Sequence, residues 1–172
     1  MRCPIVFLLS PFLFLVLSCN KKDSIQVTNY EMKFKKDGVK DTLIPYYCAI
    51  KTNINNSSQT DFFLSARSKD NRASFDITIQ VIGALVPGVY ETVNGSGSYP
   101  VIADYFLDRG QAAERDYAID NAPAYPNGDF TVTITSIDGN IVKGTFSGNY
   151  LYDRNYNESI VVTDGSFIAK KH

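Results

Sequence analysis

The chain has 172 residues, 44% of them hydrophobic and 20% charged, and its formal net charge at pH 7 is −1. So even a balance, with no basic stripe and no glycine-rich phosphate motif, leaves no electrostatic footprint for nucleic acid. The one histidine, His172, is the last residue, which takes the base from any Ser-His-Asp or Cys-His constellation and removes histidine-based zinc sites.

Arg2 is followed by an apolar run from Ile5 to Leu17, interrupted only by Ser10 and Pro11. That is the pattern of a secretory signal. A spanning helix needs about 20 apolar residues, and this run stops before Asn20-Lys21-Lys22-Asp23. Its end, Val16-Leu17-Ser18-Cys19, resembles the lipobox of bacterial lipoproteins, with Leu17 where a small residue is commoner. The resemblance implies removal of residues 1–18 as a signal peptide and acylation of Cys19. An ordinary signal peptide with a cysteine nearby by chance, or a buried apolar segment, is the alternative. Two or three acyl chains hold a protein at a membrane stably where one does not. Lys21 and Lys22 would add attraction to anionic headgroups. By resemblance to lipoprotein sorting, Asn20 after the cysteine implies the outer membrane, with the leaflet open.

What remains is a short polar tether, residues 19–29, and a single domain from 30 to 172, large enough for a real core. Without Arg2, sixteen Lys and Arg face eighteen Asp and Glu, a net charge of −2. Cys3 leaves with the signal and Cys19 takes lipid, so Cys48 has no disulfide partner. Beside Ile50 on an apolar strand face, it reads as core filler rather than a reactive thiol.

Alternation with period two dominates the domain, and helical periodicity barely appears. Tyr30, Met32 and Phe34 alternate with charged residues, Asp37-Gly38 predicts a tight hairpin, and Pro45 predicts an edge or bulge in the return strand. Phe62 to Ala66 is a further strand. Phe75, Ile77, Ile79 and Val81 then face one way while Asp76, Thr78 and Gln80 face the other, as a half-buried antiparallel strand requires. Pro87-Gly88 fits the centre of a type II turn before the strand Val89 to Val93. Tyr99 to Leu107 reads as a strand with both faces covered, Gln111 to Arg115 as a helix of one or two turns, and Tyr117 to Ile119 as a short strand. Phe130, Val132 and Ile134 then alternate with threonines. Asp138-Gly139 turns the chain, and Val142, Gly144, Phe146, Gly148 and Tyr150 share one face. Asp164-Gly165 predicts a bulge that puts Phe167 on the core side of a strand from Ser159 to Ala169.

Pro87-Gly88-Val89-Tyr90, Gly144-Thr145-Phe146-Ser147-Gly148 and Val162-Thr163-Asp164-Gly165-Ser166-Phe167 together resemble small Bacteroidetes-type lipoproteins of unknown function. The resemblance covers the C-terminal half. Its motifs are structural, so it implies a fold and no active site.

Several weaker chemistries remain. Asp104, Asp108, Glu114, Asp116 and Asp120 gather in the irregular middle. A carboxylate pair there would suit a glycosidase-like hydrolase, and a solvated face is the plain alternative. Asp116, Asp120 and Asp129 offer hard oxygens for calcium without EF-hand spacing. Eleven tyrosines and no tryptophan are present. Of these, Tyr99, Tyr105, Tyr117, Tyr125, Tyr150 and Tyr152 are candidate ligand platforms, unless they simply suit half-buried strands. Asp23-Ser24-Ile25 and Asp41-Thr42-Leu43 resemble the O-glycosylation triplet of Bacteroidetes exported proteins, with Ser24, in the tether, favoured over Thr42.

The sequence thus predicts an all-β antiparallel sandwich or flattened barrel of about eight to ten strands, held at the cell envelope by lipid on Cys19. The expected role is non-catalytic binding of a small ligand, glycan or partner protein, with no cofactor. A carboxylate hydrolase or a purely structural envelope protein is the alternative.

Overall fold

A computed structural model describes residues 29–92, 101–119, 129–153 and 155–172. Its ten strands are β1 (Glu31–Lys36), β2 (Val39–Thr52), β3 (Gln59–Arg67), β4 (Ala73–Ile82), β5 (Gly88–Glu91), β6 (Val101–Leu107), β7 (Arg115–Ile119), β8 (Phe130–Asp138), β9 (Ile141–Asp153) and β10 (Glu158–Lys170). No helix occurs among the described residues. The domain is all-β and every pairing is antiparallel.

The sheet returns on itself. β10 pairs with both β1 and β9, so the order β1-β2-β3-β4-β6-β7-β9-β10 runs back to β1. The β7–β9 link is the single pair Ala118↔Tyr152. β8 takes the rest of that edge of β9, and β5 lies beyond it. This ring of strands accords with the expected sandwich or flattened barrel.

Local chemistry explains the turns. Asp37 (φ 49°) and Gly38 (φ 81°) both take positive φ, the demand of a type I′ hairpin. Asp37 Oδ1 also accepts the Val161 N–H at 2.9 Å, tying this turn to β10. Between β8 and β9 the two-residue loop is Gly139-Asn140, and Gly139 (φ 57°) supplies the positive φ. Pro45 sits at a register shift between Pro45 and Tyr47, the expected bulge, in the part of β2 that pairs with β3 beyond the end of its pairing with β1 at Leu43. The predicted bulge at Asp164-Gly165 is present as a register shift between Val162 and Gly165, with Asp164 at φ 53°.

Two local expectations fail. Gly88 does not take a positive φ and opens β5 opposite Ile134; the positive φ in this connection belongs to Gly83 (φ 88°). Residues 111–114 form a turn, not a helix, and Arg115 already belongs to β7. Glu114 is spent on that turn, its Oε2 accepting the Gly110 N–H at 2.7 Å. One short segment with little apolar surface to bury cannot offset helix nucleation.

The interior is aromatic. Phe34, Phe75, Tyr105, Phe130, Phe146, Phe62 and Phe167 are buried, and their ring centroids lie 5.2–6.4 Å apart in a connected cluster. Such pairs contribute about 0.5–1.5 kcal/mol each beyond area burial. Three glycines make the room. A Cβ on Gly144 would lie 2.5 Å from the Phe167 ring, one on Gly148 2.4 Å from Phe130, and one on Gly165 2.5 Å from Phe146.

Candidate functional site

Three depressions lie on the outward side of the ring of strands. One, about 480 Å³, is lined by Thr131, Thr133, Thr145, Ser147, Thr163, Asp164 and Ser166 around Gly165 and Phe146. A second, about 380 Å³, is lined by Lys33, Lys35, Lys40, Asp41, Thr42 and Asp164 with Phe34. They meet at Asp164.

Register explains why these side chains converge. On β8, β9 and β10 the core residues alternate with outward ones. The pairs Thr133↔Thr145, Thr145↔Ser166, Ser166↔Lys33 and Lys33↔Thr42 then set five polar side chains in one row across β8, β9, β10, β1 and β2. A second row begins with Thr131↔Ser147 and ends with Lys35↔Lys40, bridged by the bulged Thr163-Asp164. Strands sit about 4.8 Å apart, so the row spans roughly 20 Å. Gly165, opposite Phe146, lines the depression at the bulge.

The third depression, about 330 Å³, lies over β2 and β3 and is lined by Tyr47, Lys51, Asn53, Ile54, Asp61 and Phe63, among others. Asp61 is committed there to structure. Its carboxylate accepts from Asn53 Nδ2 and Gln59 Nε2, both at 2.7 Å, and holds the loop after β2 in place.

The tyrosines singled out from the sequence lie elsewhere. Tyr105 and Tyr117 are buried in the ring, 6.4 Å apart between centroids. Their hydroxyls donate to Asp41 Oδ2 at 3.1 Å and Glu158 Oε2 at 3.4 Å. Burial, and after it these carboxylates, raise both phenol pKa values. Tyr152 is half-buried, its hydroxyl donating to Asn157 Oδ1 at 2.5 Å. Tyr105 and Tyr117 thus offer solvent an edge at most, not a stacking face. Tyr150 belongs to β9, and its side chain lies outside the described residues, as do Tyr99, Tyr125 and Asp120. Cys19 and Ser24 lie outside them too, while Thr42 is exposed on β2, in register with Lys33.

The acidic residues of the middle are dispersed. Asp104 stands opposite Asp76 across β4 and β6, Asp108 pairs with Arg72, and Glu114 holds its turn. Asp116 is half-buried on β7, with its N–H donated to Asp153 Oδ2 at 3.0 Å, and Asp129 is exposed before β8. Among the described residues no group of three His, Cys, Asp or Glu is placed to hold a metal. Cys48 is 1% exposed, and burial pushes its thiol pKa up to about 11 against a smaller opposing pull from Lys171.

Alternation alone revealed the outward threonines, but not their neighbours. That Thr133, Thr145, Ser166 and Lys33 form one row depends on β10 pairing with both ends of the chain's order, which no local pattern encodes.

No protein-family model matches this chain, and neither does any curated protein or solved structure.

Proposed function

We propose that the protein is a lipid-anchored cell-envelope protein, held at the outer membrane through Cys19, whose β domain binds a polar ligand, a glycan above all, without catalysing its conversion. The row Thr133, Thr145, Ser166, Lys33 and Thr42 carries this reading. The buried rings pack against one another, and the polar depressions open on the outer face. Hydroxyls repeated across strands can donate and accept, which suits a ligand that presents many hydroxyls. Water-bridged contacts would supplement the direct ones at little cost.

Two measurements test the reading. Intact mass of the protein taken from native membranes is expected to show a chain beginning at Cys19 with diacylglycerol and acyl mass added. An uncut leader or a bare thiol contradicts the anchor. For binding, a panel of immobilised polysaccharides probed with the full mature protein is expected to give a signal that the Thr145→Ala, Ser166→Ala double variant weakens. Two lost hydrogen bonds correspond to about tenfold or more in affinity. A signal that survives this variant and is lost in Tyr47→Ala would move binding to the face over β2 and β3.

A further inference from the structure

We infer that the ligand of this face is anionic: a polysaccharide carrying carboxylate or sulfate groups, with its charges over the β1–β2 hairpin and its hydroxyls over β8 and β9. The inference deepens the binding reading above and rests on it.

The two joined depressions are unlike at their ends. Towards β8 and β9 the lining is threonine and serine. Towards β1 and β2 it includes Lys33, Lys35 and Lys40. Lys35 and Lys40 stand directly opposite each other in the β1–β2 ladder, with Lys33 two residues along on the same face. Like charges in directly opposed positions disfavour a sheet, so this hairpin retains an arrangement that an anion would relieve.

The relief inside the chain is partial. Asp164, carried outward by the bulge at φ 53°, lies 2.7 Å from Lys35 Nζ, and Glu31 lies 2.6 Å from Lys33 Nζ. Among the described residues no salt bridge reaches Lys40, which is exposed. The two pairs that do exist are themselves exposed, 37% and 67% for Lys35 and Asp164, 54% and 34% for Lys33 and Glu31. Exposed pairs of this kind hold weakly, so an acidic ligand can share or displace Asp164 and Glu31 and gain Lys40 outright. The hydroxyls alongside fix such a chain in register, which three lysines alone would not.

Carboxylate and sulfate share this chemistry, and the experiment separates them. Full mature protein is titrated by calorimetry with polygalacturonate fragments, with dextran sulfate and with neutral dextran, at low and high salt. Binding to one or both acidic polymers is expected, with little to neutral dextran. Lys35→Gln with Lys40→Gln is expected to weaken it by about tenfold and to flatten its salt dependence. Thermal unfolding of the same variant, expected to be unchanged or slightly raised, checks that it folds. Equal binding of neutral and acidic polymers, or acidic binding untouched by the double lysine variant, overturns the anionic assignment. Neutral binding that still falls in Thr145→Ala, Ser166→Ala would leave the polar face intact as the site, and binding to none of the three polymers would count against both.

Discussion

Replacing Gly144 by alanine tests how the aromatic core is built. Gly144 lies in β9 at an ordinary strand φ, so its backbone would accept alanine without strain. Judged by the unfolded chain alone, Gly→Ala at such a site stabilises by about 0.4–1 kcal/mol. The space around it reverses the sign. The added Cβ would stand 2.5 Å from Phe167 Cζ, 2.7 Å from Phe167 Cε1 and 2.5 Å from the Thr133 carbonyl oxygen. The ring can shift only into Phe62 and Phe146, which pack against it, and the carbonyl belongs to the β8–β9 ladder. Overpacking of this kind costs typically about 1–3 kcal/mol. With part of the clash on backbone, we expect a loss of about 2–3 kcal/mol, a fall in Tm of roughly 6–15 °C at this domain size. Gly88 is the control, because its Cβ would meet nothing nearer than 4.0 Å. Gly88→Ala should be neutral or stabilising by less than about 1 kcal/mol. Urea unfolding followed by circular dichroism gives both numbers. Adding Phe167→Leu to Gly144→Ala should cost less than the two single changes summed, since the second relieves the first. Equal effects at Gly144 and Gly88 would refute this packing.

Other consequences follow from named contacts. Asp153, fully buried, accepts the N–H groups of Asp116, Asn155 and Tyr156 at 2.8–3.3 Å, so Asp153→Ala should destabilise the domain by about 2–3 kcal/mol in chemical denaturation. Burial pushes the Cys48 thiol from its ordinary 9.0 up to about 11, so its contribution is whole below pH 9 and declines as pH rises towards 11. Wild type should therefore lose on the order of 1–2 kcal/mol more than Cys48→Ala across that window. At neutral pH the thiol should react with Ellman's reagent only after unfolding. Tyr105→Phe and Tyr117→Phe should each cost about 1 kcal/mol or less and leave polysaccharide binding unchanged, since both rings are buried inside the domain and their hydroxyls bond Asp41 and Glu158.

Much of the fold was legible because antiparallel strands announce themselves locally. Phe75, Ile77 and Ile79 alternate with polar neighbours, Asp37-Gly38 can hardly be anything but a hairpin, and Asp164-Gly165 breaks the alternation where the ladder is in fact bulged. Pro87-Gly88 misled because the turn preference of that pair yields to the Gly88↔Ile134 pairing once β8 offers a partner. Glycines on either side of Phe146 signal a close approach of some kind in β9. Thr133 and Asp129 carbonyls do approach, but the nearest atoms also include the Phe167 and Phe130 rings, a match that only the folded register sets. The tyrosines misdirected attention for a related reason. Tyr105 and Tyr117 stand mid-strand on the inward face, and nothing in sequence says which face closes over a core. The polar face was half visible as threonines opposite core residues, and its lysines come from the other end of the chain.

The placement of the ligand is tested most directly by amide chemical shifts of the full mature protein during titration with an acidic oligosaccharide. Shifts are expected at Thr131, Thr133, Thr145, Ser147, Ser166, Lys33 and Lys40, saturating together, with Tyr47 and Phe63 unmoved. Saturable shifts centred on Tyr47, Lys51 and Phe63, or none on β8, β9 and β10, would contradict a binding face built from hydroxyls and lysines.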